Sequence, residues 1–306
     1  MLPAMATVVE VTVVMPRLGD LVAETAGLLI HDEALLSCFQ PDSDVSALNR
    51  ADGAVVEVDA TTAAVLDAAG ELAPLSDGAF TPCIGALVGL WDVRAWLAGI
   101  AAGRRPAPPA PELVDEARAR CAPGLLEKVD ERAYRLHDGA QLDLGAIAKG
   151  FVADAVRELC LDRGAEAVLV SVGSSSVAAA GDRPQGPWRV GIEDPGGAGI
   201  IGSVELRGTA DLATSGDHLQ RLPELVDGQP VHHVIDPATG RPASGGVRQA
   251  SAVCADGMRA EVAATALMMR PAGRLAGLLD GVEQLTVTDQ AVRTSPGLAW
   301  LPVDEQ

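Results

Sequence analysis

The stretch Leu142 to Asp154, LDLGAIAKGFVAD, decides how the rest of the chain is read. An acidic residue, Asp143, ends an extended segment, Gly145 makes the turn, and a helix is predicted from about Ala146 to Arg163. Ile147, Phe151, Val152, Ala155, Val156, Leu159 and Cys160 line up as one apolar stripe. Gly164 supplies the αL cap that stops the helix. Lys149 then falls in the first turn, where the helix dipole prefers negative charge. Two readings are open. A phosphate or similar anion, held by the free N–H groups and by Lys149, removes the conflict; a solvated lysine tolerates it at about a few tenths of a kcal/mol. The only other lysine is Lys128, and that scarcity leans towards the anion.

Around this corner the pattern alternates between strands and helices without a strict βαβ order. Ala6 to Val14 is rich in Val and Thr, which favour strands. Helices are predicted over Leu21–Cys38, Thr61–Leu75 (with Asp59 and Thr61 at its start), Arg259–Met269 and Ala272–Leu279. Strands are predicted at Ala167–Val172, Trp188–Ile192, Ser203–Leu206, His233–Ile235, Ala250–Cys254, Leu285–Thr288 and Ala291–Thr294. Asp138-Gly139 predicts a hairpin within Tyr134–Leu144. The proline-rich Gly103–Pro111 reads as a loop. Strands in hairpins and runs point to an α+β fold. No repeat or linker divides the chain, so one domain over 1–306 is expected, with room for two interlocked lobes.

Composition removes other classes. The chain has 306 residues, 48% hydrophobic and 21% charged, which excludes global disorder. Lys and Arg number 23 against 42 Asp and Glu, giving 23 − 42 = −19. That balance argues against nucleic-acid binding, which rests on cations meeting phosphates. Five scattered cysteines with no CxxC pair read as reduced, mostly buried thiols. There is no basic start and no spanning apolar run, so the chain as given reads as cytoplasmic, with no membrane span; a leader removed upstream would leave no trace.

Three further segments could carry chemistry. Glu261 and Thr265, four apart, share one face of a helix that is apolar nearly all round. A buried carboxylate needs a partner, and a hard cation held by carboxylate and hydroxyl oxygens would serve; an exposed edge for Glu261 is the alternative that spacing alone favours. His232-His233-Val234-Ile235-Asp236-Pro237 offers His233 as a general base, or as a structural hydrogen-bonding residue, with Asp236 a candidate Asx-turn former. Ala213–Asp217 and Val172–Ser176 could present N–H and hydroxyl donors to a ligand, or be ordinary turns. No Walker loop, dinucleotide fingerprint or nucleophile elbow occurs.

In their order, these segments resemble the ApbE family of flavin transferases. Met5-Ala6-Thr7, the run from Leu36 to Asn49, Asp77-Gly78-Ala79-Phe80-Thr81-Pro82 with Leu90-Trp91, then LDLGAIAKGFVAD, ATSGD, HVIDPATGRP and EVAATAL are each similar to a family motif. The resemblance implies an ApbE-like, T-fold-related two-lobed architecture with mixed or antiparallel sheets and flanking helices. It implies FAD as substrate, Mg²⁺ near the pyrophosphate, and transfer of FMN to a Thr or Ser hydroxyl of an acceptor flavoprotein with release of AMP. It further implies flavin contacts at Met5, Phe39, Gly78, Ala79, Asp143, Lys149 and Ile235, metal ligands at the Ala146 carbonyl, Glu261 and Thr265, and His233 acting in transfer. The chain departs from the family pattern at five places: Ala6 for Gly, Phe39 for Tyr, Thr81 for Asp, Ser174 for Gly and Glu261 for Asp. A flavin-binding relative that instead hydrolyses FAD to FMN and AMP, or merely carries it, is the rival expectation.

Overall fold

The computed structural model describes residues 1–104, 107–197, 199–217, 222 and 231–303. Its centre is an eight-stranded antiparallel sheet whose spatial order follows the chain: Leu2–Ala4, Thr7–Val14, Ala167–Val172, Ser176–Ala180, Ala210–Gly216, Val247–Cys254, Glu283–Thr288 and Val292–Thr294. Neighbours along the chain pair in space, and everything else is inserted between them. The fold is α+β.

Both faces of the sheet are covered. Along Ala167–Val172, Val168, Val170 and Val172 pack towards the helices, while Ala167 and Leu169 pack the other way. Helices Ala148–Asp162 and Gly257–Leu267 lie on the first face, with Leu21–Leu36 beyond them. On the second face a three-stranded sheet of Trp188–Glu193, Ile200–Leu206 and Trp300–Pro302 closes a smaller core through Trp188, Ile192, Val204 and Leu206. Ser176–Ala180 is buried at every residue, as befits a strand sandwiched on both sides. Its SVAAA sequence has neither alternation nor β-branched character beyond Val177, so no periodicity announced it.

Most predicted elements lie where the sequence put them, with four adjustments. The predicted helix Ala272–Leu279 is a 3₁₀ turn over Ala272–Arg274 followed by the short helix Ala276–Leu279. The second predicted helix is Ala60–Leu72, capped by the Asp59 carboxylate on the Thr61 N–H at 2.8 Å, and it tightens into a 3₁₀ turn over Ala73–Ser76 where Pro74 intervenes. The hairpin is Leu126–Asp130 with Ala133–Leu136, not a structure turned on Asp138-Gly139. Asp138-Gly139 does turn the chain, at φ 52° and 69°, but the residues beyond are claimed elsewhere. The Asn49 side chain bonds both the N–H and the C=O of Leu142, at 2.6 and 3.0 Å, and the Asp143 N–H reaches the Pro82 carbonyl at 2.9 Å. The predicted strand His233–Ile235 shrinks to Ile235–Asp236 paired with Arg241–Pro242, because Asp236 and Pro237 start a tight turn. Short helices at Asp44–Arg50, Gly85–Trp91, Val93–Ala101 and Pro111–Ala119 are additional to the predicted elements. Within the proline-rich loop, Arg105 and Pro106 lie outside the described residues.

The five cysteines are free thiols, three of them buried. Burial pushes Cys38 up to about 11 and Cys83 up to about 12, which leaves both protonated and unreactive at neutral pH. Among the described residues no helix is long and apolar enough to cross a membrane.

Candidate active site

The corner 143–149 is built from local bonds before any packing acts. The Asp143 carboxylate accepts the Gly145 N–H at 2.8 Å, an Asx turn that aims the following backbone into the helix. The helix begins at Ala148, so Lys149 occupies its first turn as expected. Two helices then meet at their backbones. A Cβ on Gly150 would lie 2.2 Å from the Gly257 carbonyl oxygen, so only glycine permits this crossing. The Asp154 carboxylate accepts the Gly257 N–H at 2.9 Å and pins the same point. That crossing places Glu261, one turn along its helix, opposite Lys149.

Lys149 Nζ lies 3.3 Å from Glu261 Oε1, with the lysine side chain 25% exposed and the glutamate side chain 5%. The Ser176 hydroxyl donates to the same oxygen. Glu261 is thus buried, not at an exposed edge, and its partner comes from a neighbouring helix rather than from its own. One turn on, Thr265 Oγ1 is 3.1 Å from Ser215 Oγ, and Thr214 Oγ1 is 2.8 Å from Ser251 Oγ. Hydroxyls and one carboxylate therefore gather where strand Ala210–Gly216 meets the helix.

Lys149, Glu261, Thr265, Thr214 and Ser215 line a cleft of about 690 Å³, within the size range of cofactor sites. Of the predicted site residues, Met5, Phe39, Ala79, Asp143, Ala146, Lys149, His233, Ile235, Glu261 and Thr265 all line it. Gly78 does not; with φ at 73° it forms, with Asp77, the left-handed turn that presents Ala79. Phe39 is 74% exposed, with the Arg94 guanidinium 6.0 Å from its ring centroid. The paired histidines divide their work. His232 is buried, its Nδ1 accepting the Val234 N–H and its Nε2 bonded to the Ala243 carbonyl at 2.8 Å, whereas His233 is exposed and lines the cleft.

Two tight turns form part of the rim, and both hold non-glycine residues in the left-handed region. Met5 and Ala6 have φ 54° and 55°, and Ser174 has φ 57°. Such backbone costs about 1 kcal/mol or more per residue, a strain that concentrates at functional sites. Arg270 is a residue that sequence reasoning missed. It grips the Asp236 carboxylate with two bonds of 3.0 and 2.8 Å and also donates to the Asp77 carbonyl, tying two cleft loops together. Those hydrogen bonds raise it above the ordinary guanidinium value. Its only sequence signal is a cation just past a buried helix.

Among the described residues no cluster of three or more His, Cys, Asp or Glu could hold a metal. Around Glu261 the cleft offers oxygen donors: the Glu261 carboxylate, the Thr265 and Ser215 hydroxyls and nearby backbone. That donor set suits a hard cation such as Mg²⁺ and not zinc. The buried Glu261 carboxylate, with Lys149 3.3 Å away, fits such an ion.

The α+β sandwich presents this cleft at a helix N-terminus, an arrangement suited to binding an anionic ligand. The sequence profile of the ApbE family matches residues 5–287. A FAD:protein FMN transferase of Treponema pallidum (strain Nichols) is 34% identical over 301 residues, covering 90% of this chain and 79% of the relative. The crystal structure of the ApbE protein of Thermotoga maritima superposes with a TM-score of 0.82 at 27% identity, covering 96% of this chain and 95% of that one. The apo flavinyl transferase ApbE of Pseudomonas stutzeri gives 0.81 at 27%, over 96% and 93%. The chain belongs to the ApbE family, a family of transferases by the names its relatives carry.

Proposed function

We propose that this chain transfers FMN from FAD to a Thr or Ser hydroxyl of an acceptor flavoprotein, releasing AMP, with Mg²⁺ as cofactor. The observation that carries the reading is the meeting of Asp143, Ala146, Lys149, Glu261 and Thr265 on one cleft in a chain of this family. The acceptor oxygen forms a bond to the FMN phosphorus while the bond to the bridging oxygen breaks, and AMP departs with that oxygen. Glu261, Thr265 and the Ala146 carbonyl would hold Mg²⁺, which supplies charge neutralisation to the diphosphate. Lys149 and the free N–H groups at the start of Ala148–Asp162 bind the same phosphates. Phe39 offers a flat apolar face at the cleft mouth for a ring system. An imidazole nitrogen of His233 takes the proton from the acceptor hydroxyl, in keeping with its exposed position on the cleft wall.

Incubation with FAD, Mg²⁺ and an acceptor carrying the target Thr tests this directly. Covalent flavin on the acceptor is the expected result. FMN plus AMP without acceptor modification would make the chain a pyrophosphatase, and unaltered FAD would make it a carrier. Glu261→Ala should lower transfer at least ~100-fold and remove its Mg²⁺ dependence, an effect of ~2.7 kcal/mol or more; unchanged kinetics would take Glu261 out of the site.

A further inference from the structure

The geometry points to Lys149 as a resident counter-cation that occupies the Glu261 carboxylate until a divalent ion displaces it. This inference rests on the proposed metal site and deepens it. Glu261 is nearly fully buried, and a carboxylate there requires positive charge or several donors. In the metal-free chain both are supplied: Ser176 donates to Oε1, and Lys149 lies 3.3 Å from the same atom. A divalent ion taking that carboxylate must compete with the ammonium for it. Arg157 shows what an unexchangeable cation looks like in this molecule. It is 5% exposed, with bonds of 2.6 Å to Asp211 and 2.9 Å to Asp154. Lys149 is a quarter exposed, makes one long contact, and stands on a flexible stem beside the open cleft.

The exchange couples two binding events. Lys149 leaving Glu261 frees the carboxylate for the ion and frees the ammonium for an anion at the start of its own helix. A ligand carrying phosphates therefore favours the lysine position that opens the metal site, and the ion favours the lysine position that meets the phosphates.

The test is metal binding by the full chain without any nucleotide, with Mn²⁺ as the probe and free Mn²⁺ followed by electron paramagnetic resonance. Lys149→Met should bind Mn²⁺ roughly tenfold tighter than the unaltered chain, equivalent to ~1.4 kcal/mol, and Lys149→Arg should bind it no tighter. In thermal unfolding, the rise in Tm on adding Mn²⁺ should be larger for Lys149→Met than for the unaltered chain. Should Lys149→Met prove unstable, Lys149→Gln serves for both measurements. Equal or weaker binding by Lys149→Met (or Lys149→Gln), with binding lost in Glu261→Gln, would overturn the competition while leaving the metal site standing. Binding that survives unchanged in Glu261→Gln, or binding by none of the proteins, would overturn the metal site and this inference with it.

Discussion

The two ends of helix Ala148–Asp162 carry the same kind of pair under different conditions. At the cleft end, Lys149 faces Glu261 with one long contact and partial exposure. Two turns on, Arg157 is enclosed between Asp154 and Asp211, and Asp154 also holds the start of the helix that bears Glu261. Burial, with Asp154 hydrogen-bonded beside it, pushes Asp211 up to about 8, which favours its protonated form in this closed cluster. The lesson is that the closed end fixes the framework and the open end is left able to exchange partners. Arginine's rigid fork suits the first task and lysine's point charge the second.

Removing each cation measures that contrast most sharply. Arg157→Met should cost ~3 kcal/mol of stability, because it removes the cation that faces two buried acids. Lys149→Met should cost nearer ~1 kcal/mol, since cleft water can reach Glu261. Equal losses in urea unfolding would erase the distinction.

The crossing between the two ends comes next. Gly150→Ala drives a methyl group into the Gly257 carbonyl and should cost ~2 kcal/mol. It should also separate Lys149 from Glu261, reducing activity beyond the stability loss. A fully active variant would show that the crossing does not set the cleft.

The pH dependence of the closed end follows from its sign. Asp211 ionises at about 8 when folded and near 3.8 when unfolded, so the folded state holds the extra proton. Its stabilising contribution is complete below about 3.8 and is lost progressively as pH rises through 8. Tm should therefore fall across that range, and Asp211→Asn should flatten the slope. A slope unchanged in the variant would assign the effect to another group.

The smallest expected effect lies at the cleft rim. Ala6 is held in the left-handed region at φ 55°, and Ala6→Gly should raise stability by up to ~1 kcal/mol. A loss in thermal unfolding would mean that the methyl group packs usefully in the turn.

Much of this was legible without coordinates where the signal is local. The Lys149 helix carries an apolar stripe, strand Ala167–Val172 a Val-rich run, and the helix around Glu261 an Ala-rich one. The ordered motifs brought ten of the eleven predicted site residues to one cleft, with Gly78 left behind in its turn. Strand Ser176–Ala180 escaped because burial on both faces removes alternation, and alanines give no strand preference. The hairpin was misplaced because Asn49, distant in sequence, takes the backbone groups of Leu142 that a second strand would have used. Arg270 escaped for the same reason, its partners Asp77 and Asp236 lying far along the chain.

By itself, the sequence determined the element types, the acidic and reduced character of the chain, and the family, because each of these is written in neighbouring residues or in the order of short motifs. Only the tertiary structure decided that Glu261 is buried, that Lys149 is its partner, and that two glycines let their helices touch. Those facts depend on contacts between residues more than a hundred positions apart, and no local rule of spacing or propensity reaches that far.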